Sequence, residues 1–187
     1  MGQVLWFSSR ATGLVSLLLI TATVVLGASH SGRVASTGWP RFTLHAVHRN
    51  LSLLTLAFLV VHIATAIVDP YAKIAWLDAV VPFTSVYHPF VLGLGAVAFD
   101  LLLAVLVTSM LRGRIPLGLW RGVHVASYAM FPVVVWHGLG IGGGDSTLWW
   151  VIALTVACCV AVVGAVARRV LTRHPDAVAR RAVGSVR

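Results

Sequence analysis

Five runs of apolar residues divide this chain, at about residues 5–28, 42–68, 86–111, 120–139 and 148–170, with only short polar connections between them. Each run reaches or approaches the ~20 residues that a helix needs to cross the hydrocarbon of a bilayer. The pattern predicts an all-α fold, a polytopic membrane bundle of five transmembrane helices. It forms one domain over residues 1–171, followed by a basic tail over residues 172–187.

Composition agrees with that pattern. The chain has 187 residues, 59% of them hydrophobic and 10% charged, with a mean hydropathy of +0.94. A soluble domain of this length has no interior large enough to hide so much apolar surface, so a multi-pass protein of the plasma membrane is expected.

The net charge of +9 raises the question of nucleic acid, and the distribution of that charge answers it. Twelve of the fourteen basic residues fall on one side if the five helices alternate: Arg33, Arg41, Arg49, Arg112, Arg114, Arg121, Arg168, Arg169, Arg173, Arg180, Arg181 and Arg187. Arg10 and Lys73 fall on the other. Positive residues stay cytoplasmic, which predicts an outer amino terminus and a cytoplasmic carboxyl terminus. The partner implied is the lipid bilayer, with no nucleic acid.

Arg10 ahead of an apolar run, with small residues near position 28, also fits the outline of a cleavable signal. The run is long for a signal core, however, and an inner amino terminus would carry Arg33 and Arg41 outside. Helix 1 is therefore expected to stay as a span. Trp39 and Trp120 are expected at the cytoplasmic edge; Trp6, Trp76, Trp136, Trp149 and Trp150 are expected near the outer one. Residues 74–77, in the connection between helices 2 and 3, are apolar enough to lie in the interface. Cys158 and Cys159 are adjacent in mid-helix and read as small apolar packing residues. Gly138, Gly140 and Gly143 have the spacing GxGxxG, but they follow a helix rather than a strand, so a turn is expected instead of a nucleotide site.

The chemistry lies in the histidines. His48 and His62 are spaced His-x13-His on helix 2; His124 and His137 are spaced His-x12-His on helix 4. At ~1.5 Å per residue each pair spans roughly 20 Å. Helices 2 and 4 run in the same direction, so His48 shares a level with His124 and His62 shares one with His137. Neutral imidazole is a good axial ligand for iron, and two pairs at matched depths suit two iron porphyrins. Ionisable groups at membrane depth are functional by default. The helical phase places His62 within about 40° of His48 but leaves His137 some 140° from His124 on an ideal helix. Pro132 lies between the latter two and makes a kink available.

The His-x13-His helix followed two helices later by a His-x12-His helix resembles the ferric reductase-like transmembrane domain family. That family includes ferric reductases, NADPH oxidases and the heme-binding membrane subunit of a bacterial periplasmic methionine sulfoxide reductase. The stretch from His48 through Arg49, Asn50 and Leu51 to His62 is similar to small actinobacterial members. So are Trp120 to His124 and Trp136 to Gly138. The resemblance covers helices 2–5. It implies that His48, His62, His124 and His137 are axial ligands to two stacked b hemes; in some relatives a flavin replaces the inner one.

Larger relatives carry a sixth helix at the amino terminus, and many append a flavin and nicotinamide module. Here the sequence stops about seventeen residues after helix 5, so a separate flavoprotein, redox protein or quinol is the expected donor. Propionates need cations: Arg49 and Arg121 adjoin the inner ligands, and Arg10 sits at the outer end of helix 1. His45, one turn before His48, is a substitute ligand, and His88 is a candidate for the outer heme edge. His30 and His174 are expected to be solvated. Asp100, the one acid deep in a helix, is expected to tie helix 3 to a neighbouring hydroxyl.

The resulting expectation is a membrane b-type cytochrome, an oxidoreductase component with no catalytic side chain of its own, passing electrons outward to ferric iron or a partner redox protein. The alternatives are a quinol-linked cytochrome akin to the b561 group, a small transporter, and an accessory subunit of a larger reductase.

Overall fold

The computed structural model describes residues 2–30 and 41–171. Five helices account for most of them: α1 (Gly2–His30), α2 (Arg41–Val68), α3 (Pro89–Met110), α4 (Leu117–Ile141) and α5 (Trp149–Leu171). All five are long and apolar enough to cross a membrane. A lipid-exposed backbone must satisfy its own hydrogen bonds, which leaves the helix as the form these apolar runs take. Single 3₁₀ turns occupy Trp76–Ala79 and Gly143–Thr147. Arg33, Trp39, the tail over residues 172–187 and His174 lie outside the described residues, as do the side chains of His30 and Arg41.

The amino-terminal helix is central. α1 runs along α2 and also meets α4 and α5, while α3 packs on α4. A span expected from length alone is thus a structural member of the bundle. The core joins Leu17, Ile20 and Val24 of α1 to Ala98 and Leu102 of α3, Met130 and Phe131 of α4, and Cys158 and Val162 of α5. The burial of Cys158 matches its reading as a packing residue. Thr55 of α2 is the largest of the fully buried side chains among the described residues, at 1% exposure.

Several hydroxyls inside the helices bond to their own helix, although those of Ser16 and Thr23 have no partner among the described residues. The hydroxyls of Thr21, Thr55, Thr108 and Thr155 each donate to a carbonyl four residues back, at 2.7–2.9 Å, a bond that keeps a donor off the lipid. Asp100 is half-buried, and the hydroxyl tie expected for it is not among the described residues' contacts.

The connections set the helix ends. α3 begins at Pro89, preceded by His88 in a left-handed conformation (φ 42°); proline fits the first helical position because its missing N–H is not needed there. Asp78 organises the preceding turn, accepting from the Ala75 N–H at 2.9 Å and the Thr84 hydroxyl at 2.8 Å. That leaves Trp76 and Leu77 facing outward, 69% and 60% exposed, as expected of an interfacial segment. α4 continues through Pro132 to Ile141, so the glycine-rich stretch expected as a turn is helical at its start.

Candidate functional site

α2 and α4 present their histidines to each other at two levels. The His48 and His124 ring centres are 6.3 Å apart, and the His62 and His137 ring centres are also 6.3 Å apart. The ring planes are inclined by 53° in the first pair and 89° in the second. The sequence-predicted pairing is therefore the pairing found. The two rings of α4 meet α2 at equal distance despite the phase difference expected on an ideal helix, with Pro132 inside the helix between them.

Three of the four rings are anchored in one way. His62 Nδ1 donates to Ser9 O at 2.7 Å, His48 Nδ1 to Thr23 O at 3.1 Å, and His137 Nδ1 to Val91 O at 2.8 Å. A carbonyl only accepts, so the proton sits on Nδ1 and the lone pair on Nε2. In each case a glycine lies four residues beyond the accepting carbonyl: Gly13, Gly27 and Gly95. These are the residues whose own N–H the same carbonyl receives within the helix. A Cβ on Gly13 would stand 3.1 Å from the His62 ring, one on Gly27 3.2 Å from His48, and one on Gly95 2.6 Å from His137. The missing side chain uncovers the carbonyl and lets the imidazole lie on the helix backbone.

The fourth ring is held differently. His124 stacks on Trp120, with ring centres 4.8 Å apart and planes 24° apart. The Arg112 guanidinium lies 4.5 Å over the Trp120 ring, a cation–π contact. Neither His124 Nδ1 nor Trp120 Nε1 has a hydrogen-bond partner among the described residues. Trp120, expected to be an interface anchor, is thus drawn onto a histidine.

A cavity of about 520 Å³ adjoins the His62–His137 level, with Gly13, Leu17, Leu59, Gly95 and Phe99 in its walls. That volume and its apolar lining are those of a small-molecule or cofactor site. Between the two levels stand Ile20, Thr55, Leu102, Met130 and Phe131, all buried. Thr55 is seven residues, two helical turns, from both His48 and His62.

Arg10 lines the same cavity, and its guanidinium is already engaged. It donates to Ile141 O at 3.1 Å and to Gly142 O, lies 3.9 Å from Asp145, and sits over the Trp6 ring. It thereby clamps α1 to the carboxyl end of α4, where exposed carbonyls favour a cation. Arg10→Gln is expected to cost about 1.5–3 kcal/mol of stability through these charge-assisted bonds, read as a lower thermal midpoint in detergent.

Arg49 and Arg121 point outward and are exposed, as are His45 and His88. Tyr87, rather than His88, lines the cavity. Sequence reasoning missed the three glycines, although Gly13 and Gly27 share the fourteen-residue interval of His48 and His62. It also counted Arg169 only as an anchor. Arg169 donates to the Tyr128 hydroxyl, one turn along α4 from His124.

A five-helix membrane bundle with two facing imidazole pairs is the class that fold and site define. Compared with known protein families, residues 12–135 match the ferric reductase like transmembrane component, and at 124 of 187 residues the chain belongs to that family. The match runs from α1 into α4 and includes His48, His62 and His124. The resemblance expected over helices 2–5 is thus corrected to a match that begins within α1 and ends within α4. No curated protein and no solved structure gives a significant match.

Proposed function

We propose that the chain is a membrane b-type cytochrome whose two imidazole pairs hold two hemes and carry electrons across the bilayer. Its amino terminus lies outside and its basic tail inside. His48 and His124 are the ligands of the inner heme; His62 and His137 are those of the outer heme.

The observation that carries the reading is the equal 6.3 Å separation of the two pairs. Two imidazole nitrogens each ~2 Å from one metal ion put their ring centres about 6 Å apart. Rings packed directly on each other would be closer, and unrelated rings would have no reason to agree at both levels. The donor set fits as well. Only two ligating side chains converge at each level, and no group of three or more His, Cys, Asp or Glu residues occurs among the described residues. A macrocycle that brings its own equatorial nitrogens suits such a pair; a bare ion does not. Three rings also have their second nitrogen on a backbone carbonyl, the arrangement that orients metal-bound histidine and raises its basicity.

Bound heme supplies one-electron iron chemistry, and bis-histidine ligation leaves no open position for oxygen. The chain's own residues orient the rings, line the cavity with apolar groups and keep water out of the septum around Thr55 and Phe131. Arg10, which lines the outer cavity, and Arg49 and Arg121, near the inner ligands in sequence, are the proposed cations for the propionates; Arg10 would serve one from its seat on the α4 carbonyls. The donor is a separate flavoprotein, redox protein or quinol, and the acceptor is ferric iron or a partner redox protein.

A dithionite-reduced minus air-oxidised spectrum of the purified protein, with heme quantified per chain, tests the reading. Two b-type hemes per chain are expected. A folded protein without heme would discard it and favour a transporter.

A further inference from the structure

The four imidazoles follow one rule three times and break it once. For His48, His62 and His137 the neighbouring helix offers a carbonyl uncovered by a glycine four residues on. For His124 the corresponding stretch of α3 lies fourteen residues beyond Val91 and Gly95, at Val105 and Ser109. No glycine stands there. The Thr108 hydroxyl donates instead to Ala104 O at 2.7 Å and to Val105 O at 3.2 Å. His124 Nδ1 is left without a partner among the described residues.

Trp120 stands where the carbonyl does not. Its ring lies nearly parallel to His124 and is pinned from above by Arg112. A stack fixes the plane of an imidazole, but it accepts no proton from it. It therefore neither selects the Nδ1–H tautomer nor raises the basicity of Nε2, the two effects a hydrogen-bonded partner provides.

We propose that Trp120 is the positioning residue for His124, and that His124 is the weakest-held of the four ligands, so that the inner iron is the one an added ligand can reach. The inference rests on heme ligation by the two pairs. If the pair holds heme as proposed, His124 would be the ligand that added carbon monoxide displaces in the reduced protein; one bond would replace another and no electron would move. The outer iron, whose ligands both hold carbonyls, does not exchange.

The test uses the full-length protein as purified, reduced with dithionite and titrated with carbon monoxide. In wild type, one heme of the two is expected to shift on CO addition. Trp120→Leu should raise its CO affinity about 10–100-fold, the usual penalty for a lost orienting group. Trp120→Phe, which keeps a stack, should restore near-wild-type behaviour. Trp136→Leu, which removes an exposed tryptophan next to His137, should change nothing. The proposal is overturned if Trp120→Leu keeps both hemes with unaltered CO affinity, or if the heme that reacts is the one lost in His62→Ala. A Trp120→Leu protein that lost both hemes would shift the decision to Thr108→Val, which frees the Ala104 and Val105 carbonyls. Lower CO affinity there supports the proposal, and unchanged affinity overturns it. A wild type without heme defeats the functional reading together with this one, whereas two hemes with unaltered CO behaviour defeat this one alone.

Discussion

Alanine at His62 is expected to take the heme content from two per chain to one. His62 faces His137 across 6.3 Å, and among the described residues these two rings are the imidazoles that line that cavity. Without His62, a porphyrin there would be left with one axial ligand, and His137 alone does not replace the second. The other level is separated by fourteen residues of α2, roughly 20 Å along the helix, and by the Thr55–Phe131 septum. Its heme should therefore be retained and should report that the bundle is folded. Pyridine hemochrome quantification per chain reads the loss, and the remaining difference spectrum belongs to the inner pair. Two hemes persisting in the variant would remove His62 from the ligand set.

Gly95→Ala is expected to have nearly the same effect with every ligand still in place. The added Cβ would stand 2.6 Å from the His137 ring, closer than real Cβ contacts come. The ring would have to swing off Val91 O, forfeiting a 2.8 Å hydrogen bond. Losing an orienting partner of this kind typically weakens metal binding 10–100-fold. The outer heme should then be partly or wholly lost on purification. The equivalent changes at Gly13 and Gly27, with 3.1 Å and 3.2 Å of clearance, should be milder. Gly164→Ala meets nothing within 4 Å, and should keep both hemes. Equal heme retention at positions 95 and 164 would show that the glycine seat is not what holds His137.

The glycines also show where reading the chain ran out. The five spans were legible because lipid imposes one simple demand, a long apolar run with internal hydrogen bonds, and all five helices fall where the pattern placed them. The histidine pairing was legible for a related reason: an imidazole is rare at that depth, and spacings that differ by one residue on parallel helices imply shared levels. A glycine in an apolar run carries no comparable signal, since transmembrane helices contain many. Gly13, Gly27 and Gly95 gain meaning only when a second helix brings a ring to within contact of them. Trp120 is the opposite case. Its place near a helix end fits an interface anchor, but its contact with His124 depends on the rotamer of each ring and on Arg112.

What the chain determines by itself is local and periodic: five helices, their lengths, the levels of four imidazoles, and the clustering of positive charge in the segments that follow helices 1, 3 and 5. These follow from residue type and from a fixed rise per residue. Only the tertiary structure decided which carbonyl receives the Nδ1–H of three of the rings, that α1 furnishes the seats for His48 and His62, that Arg10 clamps α1 to α4, and that His124 is left to a tryptophan. Those outcomes depend on how closely two helices approach and in what rotation, and close approach is set by small residues whose effect is the absence of atoms.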